Sequence, residues 1–303
     1  MRHPFLGSHL MGMNDLNRIV ERRLLLGALV CAVLMIVCYF VLVSTPWGHN
    51  FDDDALFRRK TLHWQIITLN SHILGLVRKK TLLLAAAVLL VIASVRRCTF
   101  VGVVAMAAFW FAVVGAEFFK KVLPWIALIP KDALLERGFQ KNTYPSGHAT
   151  FATSLILGLL LVSPSRWRPS LALAGGCISA IFATGVLFAG WHRPSDALGA
   201  LAWSGLCMSV AAALVIRLRG QPTPSFTYLS RTAFRAVTLG TLLAGLVATW
   251  MITATPPAGY SLADLPFFVL TGFIIVGAFT LIAWYGWQLR AVEWRANPTA
   301  RRP

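Results

Sequence analysis

Two histidines stand in contexts suited to acid–base and nucleophilic work. His148 lies in "NTYPSGHAT" (residues 142–150), and His192 opens "HRPSD", which ends at Asp196. Pro194 suits the first turn of a helix, so Asp196 falls one turn after His192. A carboxylate there can accept from one imidazole nitrogen, fixing the tautomer and leaving the other nitrogen as a nucleophile. Ser146 and Gly147, at the expected start of a helix, offer a hydroxyl and backbone N–H groups where the helix dipole favours an anion. Lys120, Lys121 and Arg193 add positive charge. A nucleophile with its orienter, a second histidine able to protonate a leaving oxygen and a cradle for an anion together suffice for phosphoryl transfer through a phosphohistidine.

The elements that must position these residues are membrane helices. Of 303 residues, 57% are hydrophobic and 13% charged, outside the range of ordinary soluble domains. The apolar residues fall in blocks near the roughly 20 residues that a bilayer-crossing helix needs. Eight spans are expected, at Leu24–Ser44, Thr81–Val95, Thr99–Phe119, Gly147–Ser163, Ser170–Trp191, Ser195–Arg217, Ala233–Thr253 and Leu265–Trp287. The first is too long for a signal-peptide core and lacks a small-residue cleavage site, so it reads as an anchor. The fold class is all-α: a polytopic bundle with a six-span core over 24–217 and two further spans within 218–303. Residues 1–23 form an N-terminal segment, expected in the cytoplasm.

With both termini inside, 16 of the 28 Lys and Arg residues face the cytoplasm. The sharpest local contrast is the last external loop, 254–264, which has none. Within Arg58–Lys80, Leu62, Ile66, Leu69, Ile73 and Leu76 recur at helical spacing beside Trp64, which predicts an interfacial helix on the outer leaflet. His148 begins the fourth span and His192 lies between the fifth and sixth. Crossing the membrane and returning brings the chain back to one face, so the two histidines share a side in either orientation.

"YPSGH" followed by "HRPSD" resembles the type 2 phosphatidic acid phosphatase family of integral-membrane lipid phosphatases, over roughly Glu117 to Arg217. The resemblance implies that His192 is the nucleophile, Asp196 its partner and His148 the general acid. Ser146, Gly147 and a lysine at the end of span three would bind phosphate. The family's first motif has Lys followed seven residues later by Arg-Pro. Here Lys120 leads to Ala127 and Lys121 to Leu128, with Lys131 nearby. Gly185 and Val186 stand where the third motif usually has Ser-Arg. The "GWHRPSD" form is similar to an actinobacterial-type branch, in which Arg193 takes over a phosphate contact.

The remaining signals have plainer readings. His63 and His72 read as interfacial residues, and Asp52–Asp54 as a solvated loop. Glu117 sits one turn before Lys120 and Lys121 and reads as their helical partner. The tryptophans, among them Trp47, Trp64, Trp191 and Trp287, suit an aromatic belt, with Trp191 also adjoining the site. The five cysteines show no metal-ligand spacing, and the basic residues suit lipid headgroups, not nucleic acid. The expected function is a plasma-membrane lipid phosphatase with an extracytoplasmic site and no metal or cofactor, acting on a polyprenyl or glycerolipid phosphate. A lipid phosphotransferase and a non-catalytic lipid-phosphate binder are the rival readings.

Overall fold

A computed structural model of the protein describes residues 13–58, 62, 64–124, 142–219, 235, 238–246, 249, 265–290, 292 and 294. All regular structure among them is helical. The helices are α1 (Met13–Cys38), α2 (Pro46–Arg58), α3 (Trp64–Leu74), α4 (Lys79–Val95), α5 (Thr99–Val122), α6 (Gly147–Val162), α7 (Arg168–Phe188), α8 (Pro194–Arg219) and α9 (Leu265–Leu289). A π-helical turn, Tyr39–Val43, extends α1.

Five helical stretches among the described residues are long and apolar enough to cross a membrane: Asn17–Val43, Thr99–Val122, Ser165–Phe188, Pro194–Arg219 and Leu265–Leu289. Helix α6 is apolar and shorter. This is a multi-pass membrane bundle, whose helices close their backbone hydrogen bonds internally without water. The span expected at Ala233–Thr253 is described only in part, as helical residues around 238–246.

Helix α8 is the axis of the bundle and packs against α1, α5, α6, α7 and α9. Its Ala, Gly and Ser residues allow that close approach on several sides at once. Helix α1 is its opposite in exposure. Leu26, Leu29, Leu34 and Ile36 each leave more than half of their surface uncovered, which fits a helix bordering lipid.

The end of the bundle away from His148 is closed by side chains reaching terminal carbonyls. The last carbonyls of α6 accept from Arg168 Nε (Leu160, 3.0 Å), Trp294 Nε1 (Leu161, 2.6 Å) and Arg96 (Val162, 2.5 Å). Fully buried Arg168 also donates to the carbonyls of Leu289 and Val292, tying the end of α9 to the same place. Such carbonyls lack intrahelical partners, and cations suit a helix C-terminus.

Two segments differ from expectation. The helix predicted over Arg58–Lys80 occupies Trp64–Leu74, because the chain is re-started at Arg78, whose N–H donates to Thr81 Oγ1 at 2.7 Å and caps α4. Leu69 and Leu76 of its stripe remain exposed, while Leu74 is buried. The Asp52–Asp54 run is not a solvated loop. It lies on α2, with Asp52 and Asp53 buried and Asp54 exposed.

Candidate active site

Gly190 makes the turn from which the site is built. Its φ of 74° is a left-handed conformation that glycine adopts without strain. Helix α7 therefore ends in a Schellman-type turn, with the Trp191 and His192 N–H groups both donating to the Val186 carbonyl, at 2.9 and 3.1 Å. The chain reverses over four residues and enters α8 at Pro194, which delivers His192 and Asp196 to one side of the turn.

His192 Nδ1 lies 3.0 Å from Asp196 Oδ2. That oxygen also accepts from Thr143 Oγ1 at 2.5 Å and from the Arg193 N–H at 3.1 Å. A carboxylate oxygen that accepts from Thr143 and from the Arg193 N–H is an acceptor towards His192 as well, so the contact calls for the Nδ1–H tautomer, with the Nε2 lone pair directed away from Asp196. Asp196 and His192 are both buried.

The "PSGH" segment is joined directly to this turn. The Ser146 N–H donates to the Asp196 carbonyl at 2.9 Å, bringing the start of α6 against the start of α8. Ser146 is the N-cap of α6, its hydroxyl accepting from the Ala149 N–H at 3.5 Å. Gly147 and His148 then supply the first amides of the helix, which have no partner within it. The His148 ring meets Trp191 edge-on, with centroids 5.2 Å apart. His192, Lys120 and Glu117 are the ionisable groups around His148.

Lys120 comes from the end of α5. Its Nζ bonds Glu117 Oε1 at 2.6 Å, the helical pair expected from their spacing. A Cβ on Gly147 would lie 2.7 Å from Glu117 Oε1 and 3.5 Å from Lys120 Nζ, so this ion pair lies against the start of α6 and uses the room a glycine leaves. Lys121 is on the exposed side of α5. Lys131 lies outside the described residues. Gly185 and Val186 are both buried, and a Cβ on Gly185 would come within 2.9 Å of Asn70 Oδ1, so α3 fills space beside that position.

Arg193 is buried, with its Nε donating to Asp53 Oδ1 at 2.6 Å. Burial opposes its charge, but the adjacent Asp53 carboxylate outweighs this and holds its pKa above the ordinary value. Asp52 Oδ1 accepts the Ser195 N–H at 2.9 Å, and its Oδ2 lies 2.5 Å from Ser195 Oγ. Burial pushes the Asp52 carboxyl up to about 8, against the hydrogen bonds from Ser195. Neither aspartate was among the expected site residues, nor was Thr143. The signal for the aspartates was the spacing of His49, Asp52, Asp53 and Leu56, which is one helical face. Among the described residues no group of three His, Cys, Asp or Glu side chains is placed to hold a metal.

Residues 100–219 match the model of the PAP2 superfamily. This stretch is similar to PAP2 proteins. It runs from the start of α5 to the end of α8 and contains His148, His192 and Asp196. PAP2 proteins are generally phosphatases of phosphate esters, typically those of lipids. No curated protein and no solved structure matches the chain. Helices α1–α4 and α9 lie outside the matched stretch, so Asp52 and Asp53 reach this site from beyond it.

Proposed function

We propose that the protein is a lipid phosphate phosphatase of the plasma membrane that works through a phosphohistidine at His192. The observation that carries this reading is the His192 Nδ1–Asp196 Oδ2 contact, joined to the His148 helix start by the Ser146–Asp196 bond. His192 Nε2 attacks phosphorus, forming the P–N bond as the ester P–O bond breaks. His148 gives its proton to the departing lipid oxygen. A water then attacks the phosphohistidine with His148 taking its proton, the P–N bond breaks, and inorganic phosphate leaves.

The charge on phosphorus oxygens meets the Gly147 and His148 amides, the hydroxyl hydrogen of Ser146, Lys120 and Arg193. Lys121, one residue along α5, adds to the positive field at the mouth. Donors fixed before the substrate arrives need no reorganisation during the reaction. The steps use side chains alone, without a metal. A site at the bundle end, beside Trp191 and the interfacial α3, suits a substrate whose tail stays in lipid while its phosphate meets water. Polyprenyl phosphates or diphosphates and glycerolipid phosphates have that form. The basic-residue distribution favours the extracytoplasmic face, with both termini inside.

The test is phosphate release from a panel of lipid mono- and diphosphates by the purified protein in mild detergent. Wild type should turn over one lipid class and His192→Ala none of them. A folded wild type that releases nothing from the whole panel would remove hydrolysis as the function. Phosphate appearing on an added alcohol in preference to water would make the protein a transferase.

A further inference from the structure

Helix α2 presents two carboxylates to the turn that carries the nucleophile, with a histidine behind one of them. Asp53 Oδ1 takes the Nε–H of Arg193, and Asp52 takes the N–H of Ser195 and pairs with its hydroxyl. His49 Nε2 stands 3.5 Å from Asp53 Oδ2. His49, Asp52, Asp53 and Arg193 are each no more than 4% exposed.

Such a cluster is a poor way to glue helices together. Burying an ion pair costs desolvation that its attraction often only balances, and apolar side chains of similar volume do as well or better. What the cluster does secure is geometry. Arg193 follows His192 directly, and Ser195 precedes Asp196. Asp53 and Asp52 thus hold the two residues on the inside of the His192–Asp196 pair. Asp52 also satisfies one of the amides at the start of α8, as a capping residue would, but from another helix. A guanidinium gripped through Nε is fixed in direction as well as in place.

We infer that Asp52 and Asp53 are positioning residues for phosphoryl transfer, locking the His192–Asp196 turn through Ser195 and Arg193 from outside the stretch that matches PAP2. The inference rests on the phosphatase reading above. Asp53 acts by aiming Arg193 at the phosphate, and Asp52 acts by fixing the first turn of α8. Neither aspartate touches substrate.

The experiment compares wild type with Asp53→Asn, Arg193→Gln, their double variant, Asp52→Asn and Asp54→Asn. Turnover is expressed per folded molecule from size exclusion, and orthovanadate affinity is measured by calorimetry on the same samples. Misplacing catalytic groups by about 1 Å costs roughly 100-fold, which is the loss in kcat/KM expected for Asp53→Asn. Orthovanadate should bind correspondingly more weakly, and exposed Asp54→Asn should match wild type. The double variant should be no worse than Arg193→Gln alone, because Asp53 reaches the turn only through that side chain, its other partner His49 lying on α2 itself. It also keeps the test alive if Asp53→Asn fails to fold, since it leaves no buried charge unpaired. Multiplying losses in the double variant, or wild-type kinetics and vanadate affinity in Asp53→Asn, would overturn the inference while an inactive His192→Ala leaves the phosphatase reading standing. A wild type with neither turnover nor vanadate binding would overturn both.

Discussion

Asp196→Asn separates two ways in which a carboxylate can serve a histidine. The replaced group sits at a three-donor site, where Oδ2 accepts from Thr143 Oγ1, the Arg193 N–H and His192 Nδ1. The amide can enter with its oxygen or its nitrogen in that place. With nitrogen there, the Arg193 N–H faces a donor and His192 is driven to the wrong tautomer, a fault that costs about 10⁴-fold in a serine protease triad. With oxygen there, all three donors keep an acceptor and only the charge is lost.

The bonds from Thr143 and Arg193 select the second arrangement, since leaving a buried donor unpaired costs about 1–3 kcal/mol. The remaining penalty is the charge term. A hydrogen bond to a charged group contributes about 1.5–3 kcal/mol, and two unit charges about 4 Å apart near an effective dielectric of 20 attract by about 4 kcal/mol. At about 1.4 kcal/mol per factor of ten, kcat should fall by roughly 10- to 1,000-fold. The assay is steady-state phosphate release, with His192→Ala setting the floor. Adding Thr143→Val removes one restraint on the amide, so the double variant should fall further, towards the tautomer limit. A single variant already at the floor, or one within threefold of wild type, would refute the reasoning.

Three further outcomes follow from particular contacts. The Asp52 carboxyl rises from an ordinary 3.8 to about 8 in the folded protein. The native state therefore holds a proton that the unfolded chain releases, and stability should fall as pH rises from about 4 to about 8 and level off above that. Ser195, Asp196 and Arg193 face this group, and Asp52→Asn should flatten the slope of melting temperature against pH; an unchanged slope would assign it elsewhere. Gly147→Ala puts a methyl 2.7 Å from Glu117 Oε1, and because that side chain is 58% exposed it can swing away without unfolding the bundle. KM should rise through displaced Lys120, with the melting temperature kept; an unchanged KM would remove Lys120 from phosphate binding. Gly199→Ala puts a methyl 2.3 Å from the ring of Tyr144, whose hydroxyl is bound to the Met35 carbonyl. Overpacking there should cost about 1–3 kcal/mol, read as a lower melting temperature, and a neutral result would contradict the close approach of α8 to Tyr144.

Most of the architecture was legible in the chain because span length and apolar content are imposed by the bilayer. The shared side of His148 and His192 was legible for the same reason, since counting crossings needs no side-chain detail. The Asp196 partnership followed from one helical turn of spacing. What the sequence concealed lies at long range. A run of three aspartates reads as solvated until Arg193 and the start of α8 are known to arrive 140 residues later, and only Asp54 behaves as the run suggests. Thr143 carries no signal of its own, because any residue before Tyr144 could have faced away from Asp196. The stripe across Arg58–Lys80 misled in length, because periodicity continues through Gly75 and Leu76 while the Arg78–Thr81 cap re-starts the helix. Ser146 was read as an anion donor, and the structure adds that its N–H and its oxygen also bind the protein itself.

The central claim is a covalent phosphoryl group on His192. The most direct measurement uses His148→Ala with an aryl phosphate, whose leaving group departs without a proton while hydrolysis still lacks its base. The mixture is quenched in alkaline denaturant, which preserves phosphohistidine, and peptides are mapped by mass spectrometry. The account predicts one phosphoryl group on the peptide containing His192, absent when His192→Ala is added. Burst release of the phenol with no phosphoryl group on His192, or with the group elsewhere, would contradict it.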